Sequence, residues 1–208
     1  MRLKESEAFT YSHSEHFRID PKSGDLHSDL VYHAYPNGGL YIFVSPILHL
    51  TISAGNNGQR NLGGHAHNDK LSFDLLLCGE NVVVDPGTYL YTPLPDQRNR
   101  FRATAAHNTL VVSEMEQNRW LPGFRGLFGL FAESKCELFE VLREDGVVVG
   151  LSFELRYRDV CQKRVFRIYS HSIGVEDYSN VPFESHFNRG VLFSPGYGKC
   201  LRNSIEES

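Results

Sequence analysis

Val147-Val148-Val149-Gly150-Leu151-Ser152-Phe153-Glu154-Leu155-Arg156 is the stretch whose pattern decides the fold. Side chains of an extended chain alternate between two faces. Val147, Val149, Leu151, Phe153 and Leu155 therefore share one face, and Gly150, Ser152, Glu154 and Arg156 the other. Glu144-Asp145-Gly146 before it reads as a turn. Lys163 to Tyr169 reads as a further strand, joined through Ser170-His171-Ser172 to Ile173 and Val175. Upstream, Leu40-Tyr41-Ile42-Phe43-Val44 is rich in aromatic and β-branched residues until Pro46 interrupts it. Leu71, Phe73, Leu75 and Leu77 alternate with Ser72, Asp74, Leu76 and Cys78. A two-residue hairpin turn at Gly79-Glu80 is expected to return the chain along Val82-Val83-Val84. Asn108 to Ser113 reads as another strand, and no stretch keeps a helical period. The pattern predicts an all-β fold, an antiparallel β-sandwich of two packed sheets with little helix. Residues 1–37 read as a polar, irregular entry segment and 38–208 as the sandwich domain.

Bulk properties exclude several partners. A chain of 208 residues can bury a real core, and 41% hydrophobic with 22% charged residues is an ordinary globular composition. A net charge of −4 provides no basic field, which argues against nucleic acid. An anionic ligand would need a local group of arginines. Cys78, Cys136, Cys161 and Cys200 lie far apart without a C-x-x-C pair, so free thiols are expected. The most apolar run, Leu40 to Ile52, is broken by Ser45, Pro46 and His49 and is too short to span a bilayer. No membrane is therefore expected as a partner. The opening Met-Arg-Leu-Lys-Glu-Ser-Glu lacks the apolar core of a signal peptide. His13, His16, His27 and His33 are scattered without ligand spacing and read as solvated or half-buried.

Chemistry concentrates in Gly63-Gly64-His65-Ala66-His67-Asn68-Asp69, Val84-Asp85-Pro86-Gly87 and Ala106-His107-Asn108-Thr109. An extended H-x-H triplet puts two imidazoles on one face, where they can share a metal or split into one ligand and one proton carrier. Asp85 ends an apolar strand and His107 precedes another. Two imidazoles and a carboxylate, with a fourth position left to water, suit zinc. Register imposes a condition. With the hairpin turning at Gly79-Glu80, Asp74 faces Asp85, and a straight strand would carry His67 about 23 Å further along at ~3.3 Å per residue. A shared site therefore requires a bend at residues 67–70, which Asn68 and Asp69 permit. In Arg98-Asn99-Arg100-Phe101-Arg102, Arg100 reads as a solvated residue. Arg98 and Arg102 lie in the connection to His107, where the planar guanidinium suits a carboxylate. Tyr89 and Tyr91 belong to the same connection, as packing residues or as platforms for a sugar ring.

Four ordered motifs carry a family resemblance: Gly-Gly-His-Ala-His-Asn-Asp-Lys-Leu-Ser-Phe from Gly63, Val-Asp-Pro-Gly-Thr-Tyr from Val84, Arg-Asn-Arg-Phe-Arg-Ala-Thr from Arg98, and Ala-Ala-His-Asn-Thr from Ala105. Over about residues 38–117 the chain resembles the heparinase II/III-like polysaccharide lyases. Beyond that span only the pattern of strands is shared. Such enzymes join an N-terminal helical toroid to a C-terminal β-sandwich, with the active cleft between them; this chain looks like the sandwich without its toroid. The resemblance implies that His65 reaches the cleft as a catalytic or carboxylate-neutralising residue, and that His67, Asp85 and His107 hold zinc. Arg98, Arg102 and Tyr89 are the candidate substrate-binding residues. The implied reaction is β-elimination on a uronic-acid-containing, acidic polysaccharide, in a periplasmic or extracellular setting. The family's key tyrosine comes from the toroid, so the 208 residues alone are expected to be inactive or nearly so.

Two other readings remain open at this point. One is a non-catalytic carbohydrate-binding β-sandwich with a structural metal. The other is a cupin-type metalloenzyme, disfavoured because Leu71 and Ser72 stand where cupins usually carry a glutamate after the second histidine.

Overall fold

In the computed structural model, residues 147–157 form an inner strand, next to the edge, of one of two five-stranded antiparallel sheets. The structure describes residues 10–92, 94–188, 193–196 and 199–201. In chain order the strands and helix are β1 (His13–Ile19), β2 (Val31–Tyr35), β3 (Leu40–Ser45), β4 (Leu48–Ser53), β5 (Ser72–Leu77), β6 (Glu80–Val83), α1 (Pro95–Arg102), β7 (Leu110–Val111), β8 (Ser134–Glu144), β9 (Val147–Tyr157), β10 (Val160–Tyr169), β11 (Ser172–Ser179), β12 (Glu184–Ser185), β13 (Phe193–Gly196) and β14 (Lys199–Leu201). One large sheet runs β2-β3-β4-β5-β6 and the other β1-β11-β10-β9-β8. β7 pairs with β12, and β13 with β14, as small two-stranded additions.

The inner faces meet in one apolar core. Phe43, Leu50, Ile52, Leu75 and Phe73 from the first sheet are buried with Leu151, Phe153, Leu155, Phe166 and Val175 from the second. Phe73 and Phe166 meet edge to face across the layers, with centroids 5.3 Å apart. Each such side chain contributes roughly 1.5–3 kcal/mol of burial free energy. The all-β sandwich with little helix is therefore the observed fold.

Several local expectations are corrected. The β5–β6 turn uses Cys78 and Gly79, not Gly79-Glu80, because Leu77 pairs with Glu80. Both turn residues have positive φ, 52° and 82°, as a type I′ hairpin demands. The run from Asn108 to Ser113 is a strand only at Leu110–Val111. The 86–106 connection contains α1, which opens on a proline and carries Asp96 in its first turn. Within 1–37, residues 13–19 and 31–35 are ordered strands, each at the edge of a sheet: β1 pairs with β11 and β2 with β3. Cys78, Cys136 and Cys161 are free thiols.

Candidate functional site

The connections between β4 and β5 and between β6 and β7 together carry every candidate residue, and the one between β7 and β8 packs against them. Strand β5 begins only at Ser72, so the chain from His65 to Leu71 is not extended. Leu71 has φ +66°, the Ser72 amide donates to the Asp69 carbonyl at 3.0 Å, and the Asn68 amide donates to the Arg102 carbonyl at 2.9 Å. The bend required for a shared site is present. It brings the His67 ring to within 5.1 Å of the His107 ring, centroid to centroid.

His107 is fully buried, and its Nδ1 lies 2.6 Å from Asp85 Oδ2. The other Asp85 oxygen accepts the Gly87 amide at 2.8 Å, a turn that Pro86-Gly87 makes possible. Asp74 Oδ1 accepts the Asp85 main-chain amide at 2.5 Å, so these two residues adjoin despite the shifted hairpin. Burial lowers the His67 pKa to about 4, with the neighbouring His107 adding to the effect. Burial acts the same way on His107, but the Asp85 hydrogen bond and charge outweigh it and hold the imidazole above its ordinary value. Burial alone would raise Asp85; the His107 hydrogen bond reverses that and keeps the carboxylate low.

His67, Asp85 and His107 are thus adjacent, though among the described residues no three side chains surround a common point as metal ligands do. Their chemistry still suits a zinc-type ion. His67 is neutral near pH 7, Asp85 is ionised, and Nε2 of the fully buried His107 has no hydrogen-bond partner among the described residues. An unpartnered imidazole nitrogen is the kind of donor atom that zinc takes.

His65 is placed differently. It is exposed, with φ +62°, and its ring contacts Tyr91 at 5.4 Å and Phe128 at 5.8 Å. Arg98 lies against the same two rings, 4.9 Å from Tyr91 and 4.7 Å from Phe128. Arg102, four residues on, is buried against Trp120 at 3.9 Å, with its nitrogens bonded to Asn99 Oδ1 and to the carbonyls of Gly126 and Leu127. Tyr89 is half-buried and packs on Phe101 at 5.0 Å. Of the three substrate-binding candidates, Arg98 shares the Tyr91 and Phe128 rings with His65, whereas Tyr89 packs on Phe101 and Arg102 on Trp120.

The C-terminal heparinase II/III-like family model matches residues 30–157. The chain belongs to that family. Solved structures with the same fold include heparinase III (14% identity, TM-score 0.55, covering 79% of this chain and 26% of that one). A heparinase III gene product follows at 17% identity and TM-score 0.53, covering 72% and 22%. A mutant of heparan sulfate lyase HepC from Pedobacter heparinus aligns at 19% identity and TM-score 0.50, covering 66% and 20%. The chain therefore spans only about a fifth to a quarter of the length of these solved relatives. At such identities the likeness is one of fold. A search of curated proteins by sequence finds no match.

In this heparinase II/III-like domain a buried polar network, which the sequence reading missed, holds the His65 loop. Asn118 Nδ2 donates to Asn68 Oδ1 at 2.9 Å and to Asn57 Oδ1 at 3.0 Å. Its Oδ1 accepts from the Ser134 amide at 2.9 Å and the Ser134 hydroxyl at 2.8 Å. Asn68 also donates to Glu116 Oε2 at 2.6 Å, and Lys70 Nζ donates to Asn57 Oδ1. Asn57, Asn68 and Asn118 are wholly buried, so their partners are obligatory. The available signal was Asn68 inside the histidine motif; its partners Glu116 and Asn118 lie 48 and 50 residues away.

Proposed function

We propose that this domain forms one wall of the active cleft of a polysaccharide lyase that cleaves uronic-acid-containing polysaccharide by β-elimination. The observation carrying this reading is the division within one motif: His65 is exposed beside an arginine, while His67, two residues on, packs against the buried His107–Asp85 pair. One imidazole is free to meet substrate and the other supports the wall behind it.

In that reaction the uronate carboxylate is neutralised so that the adjacent C5 proton becomes acidic. A base takes the proton, the carbon–oxygen bond at C4 breaks, the leaving oxygen is protonated, and an unsaturated sugar remains. His65 is assigned the cleft role, as proton carrier or as donor to the carboxylate. His67, Asp85 and His107 are assigned to a zinc site. Zinc bound there would tie the β4–β5 loop to the two ends of the β6–β7 connection and place positive charge behind the cleft. The opposite wall, with the remaining acid–base groups, is assigned to a helical toroid elsewhere in the polypeptide.

The test is ultraviolet detection of unsaturated uronate products from the full-length enzyme and its His65→Ala variant on acidic polysaccharides. The parent is expected to form product and the variant to lose most of the rate. Full activity in the variant would remove His65 from the chemistry. A full-length parent that binds acidic polysaccharide yet cleaves none would favour the non-catalytic carbohydrate-binding reading.

A further inference from the structure

Arg98 and Arg102 put two guanidinium groups on adjacent turns of α1, each only 1% exposed. Among the described residues neither is hydrogen-bonded to a carboxylate; both use main-chain carbonyls, and Arg102 also uses Asn99. Glu116 lies near enough to act on Arg102 through space, whereas no carboxylate acts on Arg98 among the described residues. A buried cation without a counter-charge is costly, so Arg98 creates a demand for an anion. The two sites differ in what remains free. All of the Arg102 nitrogens are bonded. Arg98 donates through Nε to the Leu127 carbonyl at 2.6 Å, whereas Nη1 and Nη2 have no partner among the described residues. The Nε bond fixes the plane of the group and leaves the two-pronged end unused.

The surroundings of that end define an entrance. Phe128 is half-buried, Tyr91 is 49% exposed, and exposed His65 touches both rings. The aromatic faces offset part of the cost of the cation through cation–π attraction, about 0.5–2 kcal/mol. They supply no oxygen acceptor for Nη1 or Nη2.

We propose that Arg98, walled by Tyr91 and Phe128 and rimmed by His65, is a pocket for one oxyanion of an acidic sugar. Its two free nitrogens take two oxygens of a carboxylate or sulfate group, and Tyr91 acts as a cover that turns aside. This rests on the reading of the His65 wall as the substrate-facing one, and it separates Arg98 as an anion-binding residue from Arg102 as a strut.

The test needs no turnover. The 208-residue chain is titrated with glucuronate, with 6-sulfated glucosamine and with glucose while the Tyr91 and Phe128 ring resonances are followed by NMR. Saturable shifts with one or both anions and none with glucose are expected. The tighter of the two anions names the group, and equal binding assigns the pocket to both. Arg98→Gln is expected to weaken binding about tenfold or more, the effect of a lost charge-assisted pair. Should Arg98→Gln fail to fold, Tyr91→Ala provides the reading. That variant strips the cover but leaves the Arg98–Leu127 bond, and is expected to tighten binding several-fold. No anion-selective shift, equal shifts in a folded Arg98→Gln variant, or unchanged affinity in Tyr91→Ala overturns the proposal. Anion binding without lyase activity in the full-length enzyme would overturn only the functional reading, and lyase activity without anion binding here only the pocket.

Discussion

Arg164 Nη1 on β10 donates to the main-chain carbonyl of Asn108 at 2.6 Å, immediately after the buried His107. The same nitrogen reaches the Leu71 carbonyl at 2.7 Å, where the histidine loop enters β5. Nε and Nη2 form a two-pronged pair with Asp177, both bonds 2.6 Å, and Ser185 Oγ donates to that carboxylate at 2.5 Å. One side chain on the second sheet therefore fixes the two segments of the first that carry His67 and His107. Rigid support from outside the site is what keeps such groups at productive distances.

Arg164→Met should accordingly be among the most damaging substitutions. It leaves Asp177, wholly buried, without its counter-charge and orphans two carbonyls. Breaking a buried pair from one side costs about 3–5 kcal/mol. Urea unfolding of the single variant should show a loss of that order, and adding Asp177→Leu should recover part of it. A loss under about 1 kcal/mol would mean that the pair does not brace the loops.

Gly63 opens the histidine motif with φ +78°, and a Cβ there would lie 2.3 Å from Leu130 Cγ and 2.8 Å from the Leu130 backbone nitrogen. The Leu130 side chain can yield, but its backbone cannot yield cheaply. Gly63→Ala should therefore cost about 1–3 kcal/mol through strain and overpacking, and should move the His65 loop. Melting temperature and the NMR shifts of the His65 and Tyr91 rings measure the two effects. An unshifted melt with unshifted rings would show that the loop does not depend on this close approach.

The sandwich was legible because β5 alternates from Phe73 to Leu77 and β9 is rich in apolar and β-branched residues, although β9 buries both faces and leaves Val147 exposed. The histidine motif was legible because its residue types are distinctive. What escaped has physical causes. Strands β1 and β2 are sheet edges with little buried side chain, so His13, His16 and His33 gave no apolar alternation. Helix α1 buries Arg98, Phe101 and Arg102, a helical i, i+3, i+4 face that vanishes when arginine is counted as polar. The hairpin slipped by one residue because Cys78 takes a positive φ that sequence alone does not require. The buried asparagine network joins distant loops, and no local pattern encodes such contacts.

In protein stripped of metal, stability should fall on the acid side through His67. Its folded pKa is about 4, against 6.5 ordinarily, so between those values the unfolded chain binds more protons. The contribution is fully present above pH 6.5 and is lost as the pH falls towards 4, on the order of 3 kcal/mol at most. His107 acts oppositely: its pKa is raised, so its contribution is present below pH 6.5 and lost as pH rises through the folded value. Denaturant midpoints between pH 4 and 7 should therefore slope less in His67→Gln than in the parent. Equal slopes would mean that the buried imidazole does not resist protonation.

Zinc should couple directly to this balance. A ligand set of His67, Asp85 and His107 requires both imidazoles to offer a lone pair, so metal and protons compete, and affinity should weaken as the pH falls through the raised His107 value, beginning above pH 6.5. At neutral pH, zinc at a hundredfold its dissociation constant should stabilise the domain by about 2.7 kcal/mol, raising the melting temperature, and a chelator should reverse the change. His67→Ala and Asp85→Ala should each abolish the zinc-dependent rise, while His65→Ala should leave it intact because that imidazole packs against Tyr91 and Phe128, whereas His67 packs against His107. The His65→Ala result carries the most weight. If it removed the zinc effect as fully as His67→Ala, the motif would be one metal-binding unit, and the division between a substrate-facing and a supporting histidine would fail.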